Sequence, residues 1–258
     1  MIIDEVREEY VKDLLKKGQR VDGRGMLDYR PIVVTRDYLP NAEGGALAQI
    51  GDTKVVAGVK FDLMTPFPDR PEEGVFMTGS EFSPLAHPDF TPGPPNENSI
   101  ELARVVDRAI RSAECMDLKK FYLGEEKVMG VFVDLYILDH CGNLIDAAGL
   151  AAMAALRNAK VPKFEDGKLI RDEPVGPLPI QRDAVLCSFE RIDGTWIADA
   201  TNEEEVASEG RLTLGVTDGD LLCAGQKSGR VGLKQEELLQ LVDLSLDKGK
   251  ELLKIVKG

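Results

Sequence analysis

The sequence is poor in several features, and each shortage excludes a class of protein. No run approaches the ~20 consecutive apolar residues that cross a bilayer, and the N-terminal stretch MIIDEVREEYVKDLLKK is charged throughout. We therefore expect a soluble, cytoplasmic protein with no secretion signal and no membrane contact. Aromatic residues make up only 6% of the 258 residues. This is too few for an aromatic stacking platform, so base-specific recognition of nucleic acid is not expected.

Cysteine and histidine are scarce as well. The chain contains four cysteines and two histidines, namely Cys115, Cys141, Cys187, Cys223, His87 and His140. No C-x-x-C occurs, and the histidines are not spaced as a ligand pair, so a zinc site is not expected. We interpret the cysteines as small buried thiols in a reducing compartment and predict neither a metal nor a cofactor.

Positive charge is in deficit over the chain as a whole. The 32 Lys and Arg residues face 45 Asp and Glu residues, which gives a net charge of −13. Such a chain repels polyanions at long range. Any contact with nucleic acid must therefore be local, or be completed by a partner that carries positive charge.

The first part of the chain has the patterns of a helix and a sheet. Apolar residues at Ile3, Val6, Tyr10 and Leu14 predict an amphipathic helix that ends at Gly18. The segments RPIVVTRDY and GGALAQIGDTKVVAGVKF predict strands, the second a hairpin with its turn at 51–53. Eight of the fourteen prolines lie between residues 66 and 95, where only GVFMTGSEFSPL is expected to form an edge strand.

The remainder predicts a second set of strands and helices. A strand, a Gly-Asn turn and a helix of small residues are expected over 127–163, and a proline-rich link (Pro174, Pro177, Pro179) follows. The segments DAVLCSFERIDGTWIADA and GRLTLGVTDGDLLCAGQKS predict two hairpins, and a long helix is expected from about Lys234 to Val256. The acidic run NEEEVASE is interpreted as the solvated start of a helix. Similar hairpin outlines in the two parts suggest an α+β protein of two related halves.

One predicted helix carries a stripe of arginines. In ENSIELARVVDRAIR, capped by Asn98 or Ser99, helical spacing puts Arg104, Arg108 and Arg111 on the face opposite the apolar residues. Two interpretations remain open. The stripe could be a solvated face held by ion pairs within the helix, or a ladder of guanidinium groups that binds phosphates.

Four segments follow one another in an order found in a known family. They are RVDGRGMLDYRPI, PGPPNENSIELARVVDRAIR, VFVDLYILDHCGNLIDAAGLAAMAAL and DATNEEEVASEGRLTLGV. Together they resemble the RNase PH family and, within it, the non-catalytic RNase PH-like subunits of the archaeal exosome. The resemblance implies the RNase PH fold, with mixed sheets, helices and a long C-terminal helix. It also implies one domain over residues 1–258, with approximate halves 20–160 and 175–258.

Active members of this family degrade RNA from its 3′ end by phosphorolysis, in which inorganic phosphate attacks the last phosphodiester. The Gly-Ser-Arg trio that holds the phosphate in active members corresponds to 143–145, which are Asn, Leu and Ile. Leucine and isoleucine supply neither a hydroxyl nor a cation. An Arg-Arg pair of active members falls on Glu97 and Asn98, and their two catalytic acids fall on Glu205 and Arg211. The resemblance therefore implies a chain with no catalytic residues.

The arginine stripe fits a different role within the family. The resemblance implies that Arg104 and Arg108, and less directly Arg111, bind single-stranded RNA beside the active site of a partner. The expected partners are an active RNase PH-like subunit, in a heterodimer present three times in a hexameric ring, and RNA-binding cap subunits. Two alternatives remain: a phosphorolytic 3′-to-5′ exoribonuclease active in its own right, and a scaffold with no role in RNA binding.

Overall fold

The computed structural model of the chain describes residues 2–124 and 126–258, with side chains from residue 5 onward. The elements of the first part are α1 (Ile2–Lys16), β1 (Ile32–Arg36), β2 (Gly44–Ile50), β3 (Thr53–Met64), β4 (Val75–Phe82), α2 (Glu97–Ser112), β5 (Tyr122–Gly124), β6 (Lys127–Asp139) and α3 (Leu144–Asn158). The elements of the second part are β7 (Lys160–Glu165), β8 (Lys168–Pro177), β9 (Ala184–Ile192), β10 (Thr195–Ala198), α4 (Asn202–Val206), β11 (Gly210–Thr217), β12 (Leu221–Gly229) and α5 (Gln235–Lys257). A short 3-10 helix, Leu118–Phe121, precedes β5.

The strands form two main sheets and one two-stranded ribbon. The first sheet has the order β1-β2-β3-β6-β4, with β5 also paired to β6, and the second has the order β10-β9-β11-β12. Strand β4 lies at the edge of the first sheet and runs parallel to β6, while the other pairs in both sheets are antiparallel. The predicted α+β fold, the edge strand and the hairpins are confirmed.

Helix α3 occupies the centre of the core. It packs against β2 and β3 of the first sheet and against β9 of the second. Its alanines are fully buried, so the helix backbone approaches both sheets closely. The approach to β2 is so close that a Cβ atom at Gly44 would clash with the carbonyl oxygen of Ala155. The run of small residues thus fixes the joint between the two sheets.

Helix α1 forms as predicted but buries a different face. Val6 and Tyr10 are 63% and 56% exposed, while Val11 and Leu15 are buried in a small cluster with residues of β9 and β10. The predicted stripe is therefore wrong for Val6 and Tyr10, and the side chain of Ile3 lies outside the described residues. Two apolar stripes alternate along this helix, and only the tertiary contact selects between them.

The proline-rich link is also not a plain link. Residues 168–177 form β8, which pairs with β7 in the two-stranded ribbon. Prolines are tolerated there because each strand of the ribbon is an edge strand and the register shifts around Pro162. The long C-terminal helix agrees with its predicted bounds to within one residue at each end. No helix in the described part of the chain is long and apolar enough to cross a membrane.

The N-terminal segment is tied to α4 by a buried ion pair. The Arg20 guanidinium donates to both carboxylate oxygens of Glu204, at 2.9 and 2.6 Å, and neither side chain is exposed. Thr201 and Glu204 form a capping box at the start of α4. The expectation of a solvated acidic helix start is therefore wrong for Glu204, although Glu203 is exposed as expected.

Candidate functional site

Helix α2 presents the arginine stripe, and its start is set by Asn96. The Asn96 side chain accepts a hydrogen bond from the backbone N–H of Ser99 at 2.9 Å, so the cap predicted at Asn98 or Ser99 is wrong. Ser99 is instead buried and exchanges hydrogen bonds with Ser80 of β4. The apolar face of α2 is buried as predicted, which leaves the arginines on the outer face.

Arg104 and Arg108 lie together in a groove between α2 and β12. The groove has a volume of about 310 Å³ and is lined by Glu97, Ile100, Glu101, Arg104, Val105, Arg108 and Gln226. Both arginines are exposed. The Nη1 atom of Arg108 donates to Oε1 of Gln226 at 2.8 Å, whereas Arg104 makes no hydrogen bond or ion pair within residues 5–124 and 126–258. We call this the arginine groove.

Arg111 is held elsewhere. Its guanidinium pairs with Asp107 through two bonds of 3.0 Å, donates to the carbonyl oxygen of Phe76 at 2.8 Å, and lies 5.5 Å from the Phe76 ring centroid. Arg111 lines a separate cavity with residues 67–76 of the proline-rich segment. The interpretation as an ion-paired face is thus confirmed for Arg111 alone, and the phosphate-binding interpretation of Arg104 and Arg108 stays a prediction. An ion pair within the helix holds Arg111, while Arg104 and Arg108 remain accessible.

A second cavity lies on the other side of Glu101. It has a volume of about 190 Å³ and is lined by Phe82, Phe90, Asn98, Glu101, Leu102, His140, Leu144, Ile145, Glu205 and Arg211. This lining brings together five positions that the sequence analysis compared with the catalytic groups of active family members. They are Asn98, Leu144, Ile145, Glu205 and Arg211. We call it the degenerate cavity.

The start of α3 forms one wall of the degenerate cavity. A helix N-terminus attracts anions because its first N–H groups are unpaired. Here the carboxylate of Glu205 already takes that position, since the backbone N–H of Asn143 donates to its Oε1 at 2.8 Å. Burial raises the pKa of Glu205, while this hydrogen bond and the charge of Arg211 oppose the rise. A phosphate that bound this N–H group would have to displace an acidic side chain of the chain itself.

Asn143 turns away from the cavity. Its backbone has a positive φ of 55°, and its amide nitrogen donates to Asp146 at 3.1 Å and to Asp199 at 2.8 Å. Asp146 also accepts from the hydroxyl of Tyr29 at 2.6 Å, and burial raises the pKa of Asp146 to about 6. Asn143 therefore belongs to an internal polar network and is not placed to bind phosphate.

Arg211, which the family resemblance matches to a catalytic acid of active members, lies among acidic side chains. It lies 3.9 Å from Glu101 and 3.6 Å from Glu190. Burial raises the pKa of Glu190 to about 7, although the charge of Arg211 and a hydrogen bond from Ser208 lower it. The positive charge inside the degenerate cavity thus lies within 4 Å of two carboxyl groups.

Three aromatic rings line the cavity, those of Phe82, Phe90 and His140, and no sequence pattern predicted them. The rings of Phe90 and His140 stack with centroids 5.5 Å apart and planes 8° apart, and Phe82 and His87 pack beside them. Burial and the nearby charges of His87 and Arg30 lower the pKa of His140 to about 4. His140 is therefore neutral at pH 7 and adds no cation for a phosphate.

Comparisons with known proteins identify the family of this chain. Residues 28–162 match domain 1 of the 3′ exoribonuclease family, RNase PH, and residues 184–248 match domain 2. The chain is 40% identical over 256 residues to the exosome complex component Rrp42 of Methanothermobacter thermautotrophicus, covering 98% of this chain and 94% of that protein. It is 42% identical over 260 residues to Rrp42 of Pyrococcus furiosus, covering 99% and 94%.

Solved structures show the same fold. An Archaeoglobus fulgidus exosome with RNA bound to the active site contains a chain with a TM-score of 0.93 and 40% identity, covering 98% of this chain and 99% of that one. A chain of an archaeal exosome core has a TM-score of 0.89 and 38% identity, covering 100% and 98%. Rice Rrp46, at 20% identity and a TM-score of 0.69, shares the fold. The chain with the arginine groove and the degenerate cavity thus belongs to the RNase PH, or 3′ exoribonuclease, family.

Proposed function

We propose that this chain is a non-catalytic core subunit of an exosome of the archaeal type. In this role it pairs with an active RNase PH-like subunit, helps to shape that subunit's active site, and binds RNA for 3′-to-5′ degradation. The observation that carries the proposal is the contrast between the arginine groove, where Arg104 and Arg108 are exposed, and the degenerate cavity, where Leu144 and Ile145 offer no side-chain donor and Arg211 lies beside two glutamates. The similarity to exosome components named Rrp42 supports the same conclusion.

The chemistry of the cavity supports the proposed absence of catalysis. Phosphorolysis needs a cradle of donors for the attacking phosphate and cationic groups for the developing charge. In the degenerate cavity, Leu144 and Ile145 offer no side-chain donor, and Glu205 occupies the start of α3. The one arginine that lines it, Arg211, is paired with two glutamates. We therefore assign no catalytic residue to this chain.

The RNA contact is assigned to Arg104 and Arg108. Guanidinium groups bind phosphate oxygens bidentately and remain charged at all physiological pH values. Because the chain carries a net charge of −13, these arginines act at close range, after the assembled complex has brought the strand to them. Arg111 was part of the same predicted stripe, but its contacts with Asp107 and Phe76 support a structural role.

The assembly we propose is a ring. The chain and its active partner would form a heterodimer, and three heterodimers would close a hexamer through repeated interfaces, with RNA-binding cap subunits on one face. Within the chain, we propose one domain with approximate halves 20–160 and 175–258. Helix α3, which touches both main sheets, joins these halves. The complex would work in the cytoplasm.

The test is co-purification with the active subunit, followed by assays of each protein alone and of the two together. Release of nucleoside diphosphates that depends on inorganic phosphate measures phosphorolysis. We expect no release from this chain alone and higher release from the pair than from the partner alone. Phosphate-dependent release by this chain alone, at a rate that the partner does not change, would show instead that the chain is an exoribonuclease in its own right.

A further inference from the structure

The arginine groove contains one polar side chain that comes from the second half of the molecule. Gln226 lies on β12 and is 118 positions away from Arg108 along the chain, yet its Oε1 accepts the hydrogen bond from Nη1 of Arg108 at 2.8 Å. We propose that Gln226 is a positioning residue that holds Arg108 in the orientation in which it binds the RNA backbone. This inference rests on the proposed function of the groove.

The hydrogen bond fixes the orientation of both partners. A guanidinium group carries only donors, so Gln226 must turn its carbonyl oxygen toward Arg108. The Nε2 group then points elsewhere, and no described residue accepts a hydrogen bond from it. Gln226 lines the same groove as Arg104.

The neutral charge of the Gln226 amide suits a group that positions an arginine. Arginine carries a large side-chain entropy, and part of it must be lost when the side chain binds a ligand. The hydrogen bond that Arg108 donates to a neutral amide oxygen restricts Arg108 before RNA arrives, and this partner does not neutralise its positive charge. Arg111 shows the opposite arrangement on the same helix, because Asp107 restricts it and also neutralises it. Arg108, whose partner is a neutral amide, thus keeps its charge for a ligand. Arg111, whose partner is a carboxylate, has a structural role.

The test uses the reconstituted complex with its active partner and single-stranded RNA over a series of salt concentrations. Gln226→Met keeps the length of the side chain and removes both hydrogen-bonding groups. We expect it to weaken RNA binding by about threefold to tenfold, the range for loss of neutral hydrogen bonds. The salt dependence should stay unchanged, because no charge is lost. The apparent KM for RNA should rise, and kcat at saturating RNA should not change.

Gln226→Glu provides the contrasting variant. It should pair with Arg108 as Asp107 pairs with Arg111, weaken binding more than Gln226→Met does, and reduce the slope of log K against log salt by about 0.7, the value of one phosphate contact on a single strand. Gln49→Met on β2, outside the arginine groove, is the matched control and should leave RNA binding unchanged. In an Arg108→Ala background, Gln226→Met should have almost no further effect.

The outcomes separate this inference from the proposed function. Loss of affinity in Arg108→Ala together with normal affinity in Gln226→Met would overturn the positioning role and leave the RNA-binding role intact. Additive losses in the double variant would show that Gln226 does not act through Arg108. Normal RNA binding by a variant without Arg104 and Arg108 would overturn the proposed function, and the positioning role with it. Melting temperatures of all variants control for misfolding.

Discussion

The arginine groove and the degenerate cavity share Glu101 as a common wall, yet the arginines that line them differ in their partners. In the groove, one arginine has no protein partner in the described chain and the other has a neutral one. In the cavity, the single arginine is paired with carboxylates, and a glutamate fills the helix terminus that would attract an anion. A cationic side chain in a cleft does not by itself make an anion-binding site. What matters is whether its charge is already compensated.

The largest expected effect separates two neighbouring glutamates. Glu204→Gln should lower the free energy of unfolding by about 3–5 kcal/mol, because it leaves the Arg20 charge buried without its partner. Glu205→Gln should cost less than about 1 kcal/mol, because the amide oxygen can still accept from Asn143 and burial already opposes the charge of Glu205. Urea denaturation of both variants checks this. Equal losses would show that Glu205 is as structural as Glu204.

The second prediction removes the arginine charges from the arginine groove and, separately, from the degenerate cavity. Arg104→Ala combined with Arg108→Ala should weaken RNA binding by the complex at least roughly hundredfold, through loss of charge-assisted hydrogen bonds. The matched variant, Arg211→Gln in the degenerate cavity, should change it by less than about threefold, as expected of a charge that is already compensated. Fluorescence anisotropy with labelled RNA measures both.

Size-exclusion chromatography of the same double variant tests the scaffold alternative. If the complex fails to assemble, the scaffold alternative is favoured. If it assembles and binds RNA with normal affinity, the RNA-binding role is wrong.

The third prediction concerns pH and the cover of the cavity. The pKa of His140 is about 4 in the folded chain against a usual value of 6.5, so the unfolded chain binds more protons between these values. Its contribution to stability is thus complete above pH 6.5 and is lost as pH falls toward 4. We expect His140→Phe, which keeps a ring against Phe90, to gain about 2 kcal/mol over the wild type between pH 7.5 and pH 4.5.

Two carboxyl groups change the pH dependence of stability in the opposite direction, so His140→Phe must be compared with the wild type at each pH. Burial raises the pKa of Glu190 to about 7 and that of Asp146 to about 6. Their protonated forms are favoured in the folded chain, so their contributions shrink as pH rises through these values. The difference in free energy of unfolding between the wild type and His140→Phe at each pH gives the contribution of His140 alone. A difference that does not change with pH would contradict the assignment.

The smallest effect is expected at Arg111. Arg111→Ala should lower stability by about 1 kcal/mol, from loss of a half-exposed ion pair and of the contact with Phe76. It should change RNA affinity by less than about twofold, since its guanidinium is already occupied. Thermal denaturation and anisotropy measure the two quantities. A loss of affinity as large as that of Arg108→Ala would place Arg111 among the RNA contacts.

Local patterns predicted most elements of this fold. The hairpins β2-β3, β9-β10 and β11-β12, helix α3 and helix α5 follow from alternation, turn residues and helical spacing, all of which act over short stretches. The RNA-binding and degenerate positions came from the family resemblance. The structure places five of the seven degenerate positions in one cavity, while Glu97 lines the arginine groove and Asn143 belongs to the internal polar network. Their assignment to RNA or to lost catalysis stays a prediction until the experiments above are done.

Features that depend on distant contacts were not predictable. An acidic run such as NEEEVASE has the composition of a solvated helix, and only Arg20, 184 positions away, buries Glu204. The exposed face of α1 was misassigned for a similar reason, because a second sheet selects one of two apolar stripes. Gln226 carries no local signal at all, since its role arises from the packing of α2 beside β12.

The central claim is that this chain holds RNA but does not cleave it, and one measurement tests it most directly. The chain is assembled with a partner subunit whose own catalytic acid has been replaced, and phosphate-dependent release of nucleoside diphosphates is measured on RNA that the complex demonstrably binds. We predict tight binding with no release. Release that persists in this complex and disappears with Glu205→Gln would show that the degenerate cavity is a working active site.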